Sequence, residues 1–181
     1  LWDLENGGSQ RIDLESPQRV AFSPTTGHCA VGSSSGRLEL LTRDGSSSQP
    51  ILEGVARIEA LAWARDGRSL ATASRGGEVV IIDVPGSKVV HRIDTGSKRP
   101  KSLVFIPGGR ELALADGRGT ITLVKLEGTP ETRQLYRHSG EVSALDVSAD
   151  GRFLLFGGKQ RTAGLIATDS GRLMSRFPGQ A

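Results

Sequence analysis

The sequence predicts an all-β protein made of about four repeats of a four-stranded antiparallel unit. Glycine is abundant, with 24 residues among 181, whereas aromatic residues make up only 4%. This composition is typical of short strands joined by tight turns. Apolar segments recur every 41 or 42 residues, and their central residues are Phe22, Trp63, Phe105 and Val147. A period of this length indicates a repeat protein.

A second series of apolar residues keeps the same spacing 19 residues farther along the chain. Its members are Leu41, Ile82, Val124 and Ile166. A chance similarity among the first four segments would not recur with the same spacing 19 residues downstream. The two series therefore mark two strands that occur in every unit.

The second unit shows the predicted order of elements most clearly. The inner strand at 61–65 is followed by a turn at 66–68 and by the second strand at 69–74. A glycine turn then precedes the β-branched third strand at 78–84, and a more polar outer strand follows at 88–93. Four strands in about 42 residues is the arrangement of a β-propeller blade. A β-sandwich is the alternative, but a sandwich has no reason to keep a fixed long period.

The repeats also predict the division of the chain. The predicted blades are 16–54, 56–95, 97–137 and 139–181, preceded over 1–15 by the outer strands of an incomplete blade. The first residue is Leu1 and not methionine, so we expect the natural protein to extend upstream as a larger propeller.

The units resemble those of the WD-repeat family. In that family an apolar pair, Ser-Pro, Asp-Gly and a run ending in Ser follow one another, and residues 20–33 and 61–74 fit this order. The name-giving dipeptide occurs once, as Trp2-Asp3, and the Gly-His pair of the family survives only as Arg137-His138. The resemblance implies a propeller of about seven blades that serves as a scaffold for protein binding.

The hydrogen-bonded network that the resemblance would imply is incomplete in every unit. The family's hairpin aspartate is replaced by Ser35, Gly76, Arg118 and Gln160. We therefore expect the blades to cohere through apolar burial, with each inner aromatic contributing roughly 1.5–3 kcal/mol.

The sequence contains no recognisable catalytic pattern. The three histidines, His28, His91 and His138, fall at different phases of the repeat, which disfavours a shared metal site. Cys29 is expected to be a small buried hydrophobe, and Asp146 a structural aspartate with a charged partner. No enzyme activity, cofactor, metal or small-molecule substrate is therefore expected.

Basic residues are concentrated at one end of the predicted blades. There the loops that enter the inner strands meet the hairpins between the second and third strands. The partner-binding residues predicted there are Arg57, Arg75, Lys98, Arg99, Arg118, Arg137, His138, Lys159 and Arg161. Asp94, Asp116 and Glu141 oppose them. An ordinary solvated surface is the alternative. The expected partner is an acidic or phosphorylated protein segment, because arginine binds carboxylate and phosphate through paired donors.

Other partners are not expected. Nucleic acid is disfavoured because no aromatic stacking platform accompanies the basic residues. Membrane contact is disfavoured because the apolar runs are only of strand length. One cysteine and no signal peptide predict a cytoplasmic protein.

The predicted function is a protein-binding scaffold of WD-like repeats. A regulatory or sensor propeller fused to a catalytic domain such as a protein kinase is an alternative. A propeller enzyme with a central-channel site would need clustered carboxylates or histidines on inner strands, and Asp146 alone does not supply them.

Overall fold

A computed structural model of the protein describes residues 13–160 and 162–179, and these residues form sixteen β-strands and no helix. The strands are β1 (Pro17–Phe22), β2 (Cys29–Ser33), β3 (Leu38–Leu41), β4 (Ser48–Leu52), β5 (Ile58–Trp63), β6 (Ser69–Ser74), β7 (Glu78–Asp83), β8 (Lys88–Asp94), β9 (Pro100–Phe105), β10 (Glu111–Asp116), β11 (Thr120–Lys125), β12 (Glu131–Arg137), β13 (Val142–Val147), β14 (Phe153–Gly158), β15 (Thr162–Ala167) and β16 (Leu173–Pro178).

The strands form four sheets of four, and each sheet pairs consecutive strands in antiparallel order. The four blades are thus β1–β4, β5–β8, β9–β12 and β13–β16, which confirms the predicted fold class. The Trp2-Asp3 pair lies outside the described residues, as does most of the incomplete blade predicted over 1–15. Residues 13–16 lead into β1 without forming a strand.

Most of the core lies between the blades, and a smaller cluster of Cys29, Val31 and Leu41 lies on the first blade with Leu14 packed against it. One apolar cluster joins the first blade to the second, another joins the second to the third, and another joins the third to the fourth. All four members of the second repeat series, Leu41, Ile82, Val124 and Ile166, are buried. Full burial of such a side chain contributes roughly 1.5–3 kcal/mol, so packing between blades is the main source of cohesion.

Phe22 does not make the contribution expected of an inner aromatic, because its side chain is 58% exposed. Its repeat equivalent Trp63 packs against the first blade and donates its indole N–H to the carbonyl oxygen of Ala21 at 3.0 Å. Phe22 lies on the equivalent side of the first blade, and that side faces away from the second blade. The repeat therefore predicts the orientation of this aromatic but not its burial.

Every inner strand has a register irregularity near its start. Pairing with the second strand skips one residue in each blade. The skipped residues are Gln18, Glu59, Lys101 and Ser143. A bulge interrupts the period-two alternation by which strands are recognised. For this reason the inner strands begin three residues earlier than the apolar segments in the sequence indicated.

The buried hydroxyl of Thr72 yields a test of this packing. Thr72 in β6 is fully buried on the same face as Leu70, and its hydroxyl has no hydrogen-bond partner among the described residues. We expect Thr72→Val to raise the free energy of unfolding by about 1 kcal/mol, because an unsatisfied buried hydroxyl is costly. Urea unfolding measures this change. Thr72→Ala is the control and should destabilise by leaving a cavity; a destabilising Thr72→Val would contradict the assignment.

Candidate functional site

At one end of the blades, each loop that enters an inner strand is hydrogen-bonded to a hairpin joining the second and third strands. The amide of Arg75 donates to the carbonyl of Arg57 at 2.8 Å, and the amide of Gly117 donates to that of Arg99 at 2.8 Å. Corresponding backbone bonds occur in the first and fourth blades. Backbone hydrogen bonds therefore place two classes of loop side by side, independently of the side chains.

The loop at 95–99 lies between the hairpins of the second and third blades. On one side, Gly77 approaches Ser97 so closely that an added Cβ would collide with the Ser97 carbonyl oxygen. On the other side, the Ser97 hydroxyl lies 3.5 Å from the Asp116 carboxylate. A Cβ added at Gly117 would lie 3.3 Å from the Cβ of Arg99 and 3.4 Å from the Cε of Lys101. The three segments form one continuous surface.

This surface carries five basic side chains, which we call the basic rim: Arg75, Lys98, Arg99, Lys101 and Arg118. Four of them are exposed and Lys101 is half-buried. In the described part of the chain, no carboxylate lies within 4 Å of any of their charged groups. Asp94 is the nearby exposed acid, and its carboxylate accepts the amide of Gly96 at 2.9 Å. The rim is therefore net positive.

Asp116 supports the rim from beneath and does not oppose it on the surface. Its side chain is only 5% exposed, and one carboxylate oxygen accepts the amides of Arg118 at 2.9 Å and Thr120 at 2.8 Å. The predicted role as an exposed counter-charge is thus wrong, because the carboxylate is enclosed by its own hairpin. It fixes the loop that presents Arg118.

His138 is likewise not available at the surface, and its predicted place among the partner-binding residues is wrong. The side chain is 4% exposed, and its ring centroid lies 5.3 Å from that of Phe156. Gly119, at a φ of +87°, approaches its backbone so closely that an added Cβ would collide with the His138 carbonyl oxygen. Val55 and Ser97 lie against the corresponding glycines of the first two blades and are also buried. The residue at this loop position is therefore buried in three blades.

The other predicted residues are either engaged elsewhere or outside the described residues. Arg57 hydrogen-bonds Gln18 and lies 3.4 Å from Glu59, which also pairs with Arg19 at 3.6 Å. These contacts join the first blade to the second. Lys159 pairs with Glu141 at 3.5 Å, and Arg137 donates to the Thr120 hydroxyl at 2.6 Å. Arg161 is not among the described residues.

Lys101 belongs to the basic rim but was not predicted from the sequence. It is the residue skipped by the β9–β10 pairing, so the bulge directs it beside the third blade's hairpin. Bulges commonly redirect a side chain in this way. Polar residues at the equivalent positions, Gln18 and Glu59, were the available signal.

The remaining candidate residues show no catalytic arrangement. Asp146 is exposed and accepts the amide of Val147 at 2.8 Å, with no ion pair in the part of the chain that the structure describes. The predicted charged partner is thus wrong. Cys29 is buried, as predicted, and burial raises the pKa of its thiol. The described ranges contain no group of three or more His, Cys, Asp or Glu side chains that could hold a metal ion.

No helix within the described residues is long and apolar enough to cross a membrane.

Comparison with known proteins gives two family matches. The family described as the anaphase-promoting complex subunit 4 WD40 domain matches residues 20–106, and the family described as the WD domain, G-beta repeat, matches residues 129–165. No curated protein sequence matches the chain.

Solved structures match almost the whole chain. The crystal structure of the Myceliophteria thermophila Cps50 (Swd1) β-propeller domain has a TM-score of 0.85 at 17% identity, covering 94% of this chain and 57% of that one. Kuenenia stuttgartiensis hydrazine synthase has a TM-score of 0.79 at 20% identity, covering 96% of this chain and 52% of that one. At these identities the likeness shows the fold alone. The chain spans little more than half the length of either.

The support that Asp116 gives to the rim can be tested by removing its carboxylate. We expect Asp116→Ala to lower the free energy of unfolding by about 1.5–3 kcal/mol, because two amides lose a charged acceptor. Hydrogen exchange at Arg118 and Thr120 should accelerate at least tenfold. The control is Asp66→Ala, which removes an exposed carboxylate that accepts the amide of Arg68 in another turn. Equal effects from the two variants would contradict the supporting role.

Proposed function

This chain belongs to the WD-repeat β-propellers, which generally bind protein partners, and on that premise we propose that it is a non-catalytic interaction module. Its basic rim binds an acidic or phosphorylated segment of a partner protein. The observation that carries this proposal is the cluster of five cationic side chains without a carboxylate within 4 Å in the described residues.

The chemistry of the rim favours oxyanions. Three of its five side chains are arginines, whose planar guanidinium groups can donate two parallel hydrogen bonds to a carboxylate or phosphate. Clusters of arginine are a recurrent means of recognising phosphorylated and acidic motifs. The rim contains no aromatic side chain on which a nucleobase could stack, which favours a protein segment over single-stranded nucleic acid.

The loops that carry the rim are held in place before any partner binds. Backbone bonds connect Arg99 to Gly117, and Asp116 holds the amides of Arg118 and Thr120. Ordering loops costs free energy on association, so a fixed backbone reduces this cost. The long side chains remain free to adapt to different anionic groups.

The non-catalytic assignment rests on the composition of the same surface. Lysine and arginine supply charge and hydrogen-bond donors, but the rim contains no nucleophile beside a general base. His138, the one histidine that the sequence placed among the partner-binding residues, is buried against Phe156. The cytoplasmic location stays a prediction.

Charge reversal of the rim is the direct test. We expect the triple variant Arg75→Glu, Arg99→Glu and Arg118→Glu to weaken binding of fluorescein-labelled decaglutamate and of a triply phosphoserylated peptide at least several-fold. The melting temperature should not change, because these three side chains are exposed and make no ion pairs in the described part of the chain. Fluorescence anisotropy gives the affinities, which should fall as salt rises from about 50 to 300 mM because exposed charges are screened.

A matched control carries the same change in net charge at the opposite end of the blades. The triple variant Arg43→Glu, Arg68→Glu and Lys88→Glu replaces three exposed cations there and should bind both peptides as the wild type does. Equal losses in the two variants would show only a general effect of net charge. Unchanged binding in the rim variant would overturn the proposal.

A further inference from the structure

A second surface lies between the third and fourth blades, at the end opposite the basic rim. Three turns surround it: the β9–β10 turn, the β13–β14 turn and the β15–β16 turn. They enclose a groove of about 800 Å³, within the range of roughly 300–1,000 Å³ typical of ligand sites. The first two turns touch each other, because a Cβ added at Gly151 would lie 3.2 Å from Pro107.

Three arginines line this groove, and none has an ion-pair partner within 4 Å in the described ranges. Arg133 donates to the carbonyl oxygens of Thr168 at 3.3 Å and Asp169 at 2.8 Å. Arg152 lies with its guanidinium carbon 5.7 Å from the centre of the Phe153 ring. The Arg172 side chain lies 3.5 Å from the sulfur of Met174. All three therefore retain donors for a ligand.

Three carboxylates line the groove beside the arginines, those of Glu111, Asp150 and Asp169, and the last two are engaged in their own turns. Asp150 accepts the Ser148 hydroxyl at 2.6 Å and the Arg152 amide at 3.1 Å, and these bonds lower the pKa of its carboxyl. The pKa of Asp169 is lowered chiefly by the Ser170 hydroxyl. Both aspartates are thus held by neighbouring donors, and Arg152 and Arg133 interact with their carboxylates only from beyond 4 Å.

The preceding blade shows how such an arginine is otherwise neutralised. Arg110 occupies the repeat position of Arg152, and it pairs with Glu127 at 3.1 Å. The fourth blade has Asp169 at the position of Glu127, which is shorter by one methylene and bonded to Ser170. Arg152 therefore has no ion pair within 4 Å in the described residues, and the Asp150 carboxylate attracts it only from farther away.

The walls of the groove also offer apolar surface. Ile106, Pro107 and Phe153 are apolar lining residues of the groove together with Met174. Met174 is 41% exposed because the β15–β16 pairing skips it at a bulge. A flexible thioether beside Arg172 suits a surface that receives an apolar side chain. The groove thus combines anion donors with an apolar patch.

We infer that this groove binds a short extended peptide segment that carries carboxylates on either side of an apolar side chain. Carboxylates match the unpaired guanidinium groups, and the apolar side chain matches Phe153 and Met174. A peptide is the ligand class because WD-repeat propellers generally bind proteins. This site lies at the opposite end of the blades from the basic rim and goes beyond the proposed function.

Selection from a phage-displayed library of random twelve-residue peptides tests the inference. The enriched peptides should share an acid–apolar–acid pattern. By fluorescence anisotropy, a labelled consensus peptide should bind the double variant Arg152→Glu and Arg172→Glu at least tenfold more weakly than the wild type. The milder double variant Arg152→Gln and Arg172→Gln should lose an intermediate amount of affinity for the peptide. It replaces the charge-reversed variant in the test if that variant does not fold.

Two controls separate this site from other basic surfaces. Arg68 and Lys88 occupy the same repeat positions two blades earlier, so Arg68→Glu with Lys88→Glu should leave binding unchanged. The rim triple variant should also bind the consensus peptide normally. If the rim variant loses binding and the groove variant does not, the groove inference fails while the rim proposal stands. Enriched peptides without acidic residues, or no enrichment, would also overturn it.

Discussion

The structure depends on one constraint, which is that the apolar faces of each blade must be covered by a neighbouring blade. A single four-stranded sheet cannot bury both of its faces, so repeats are stable only when stacked. Three clusters of buried side chains meet this requirement in the described residues. Hydrogen bonds set the register of adjoining inner strands: Trp63 donates to the Ala21 carbonyl, and the Leu145 amide donates to the Ser102 hydroxyl. Side-chain packing between blades therefore fixes where the loops at either end can lie.

The charge of the rim follows from a few repeat positions on this fixed frame. Arg57, Arg99 and Glu141 are equivalent, and each accepts a backbone bond from the adjacent hairpin. In the fourth blade Glu141 pairs with Lys159, and in the second blade Glu59 draws Arg57 into an ion pair. The third blade has Lys101 where the second has Glu59, so Arg99, Lys101 and Arg118 remain unpaired in the described part of the chain. Exposed ion pairs add little stability, so these exchanges alter the surface potential more than the fold.

How much the sequence could predict differs between the core and the loops. The spacing of Leu41, Ile82, Val124 and Ile166 predicted the strands, and all four residues are buried, because apolar periodicity directly reflects packing. It could not predict that Phe22 is exposed, since burial depends on the neighbouring blade and not on the strand itself. Lys101 was missed and His138 was wrongly expected at the surface for a different reason. The position of a bulge and the inward direction of a loop residue depend on backbone geometry, which the residue types at those positions indicate only weakly.

In the proposed function, blade packing presents the rim as one prearranged site for an anionic peptide. Hydrogen–deuterium exchange of the chain with and without decaglutamate measures whether the three loops respond as one site. We expect the peptide to slow exchange in residues 74–77, 95–102 and 116–119 together, while exchange in residues 42–47, 66–68 and 85–88 is unchanged. Slowed exchange in the second set, or a general slowing over all turns, would mean that the rim is not a single prearranged site.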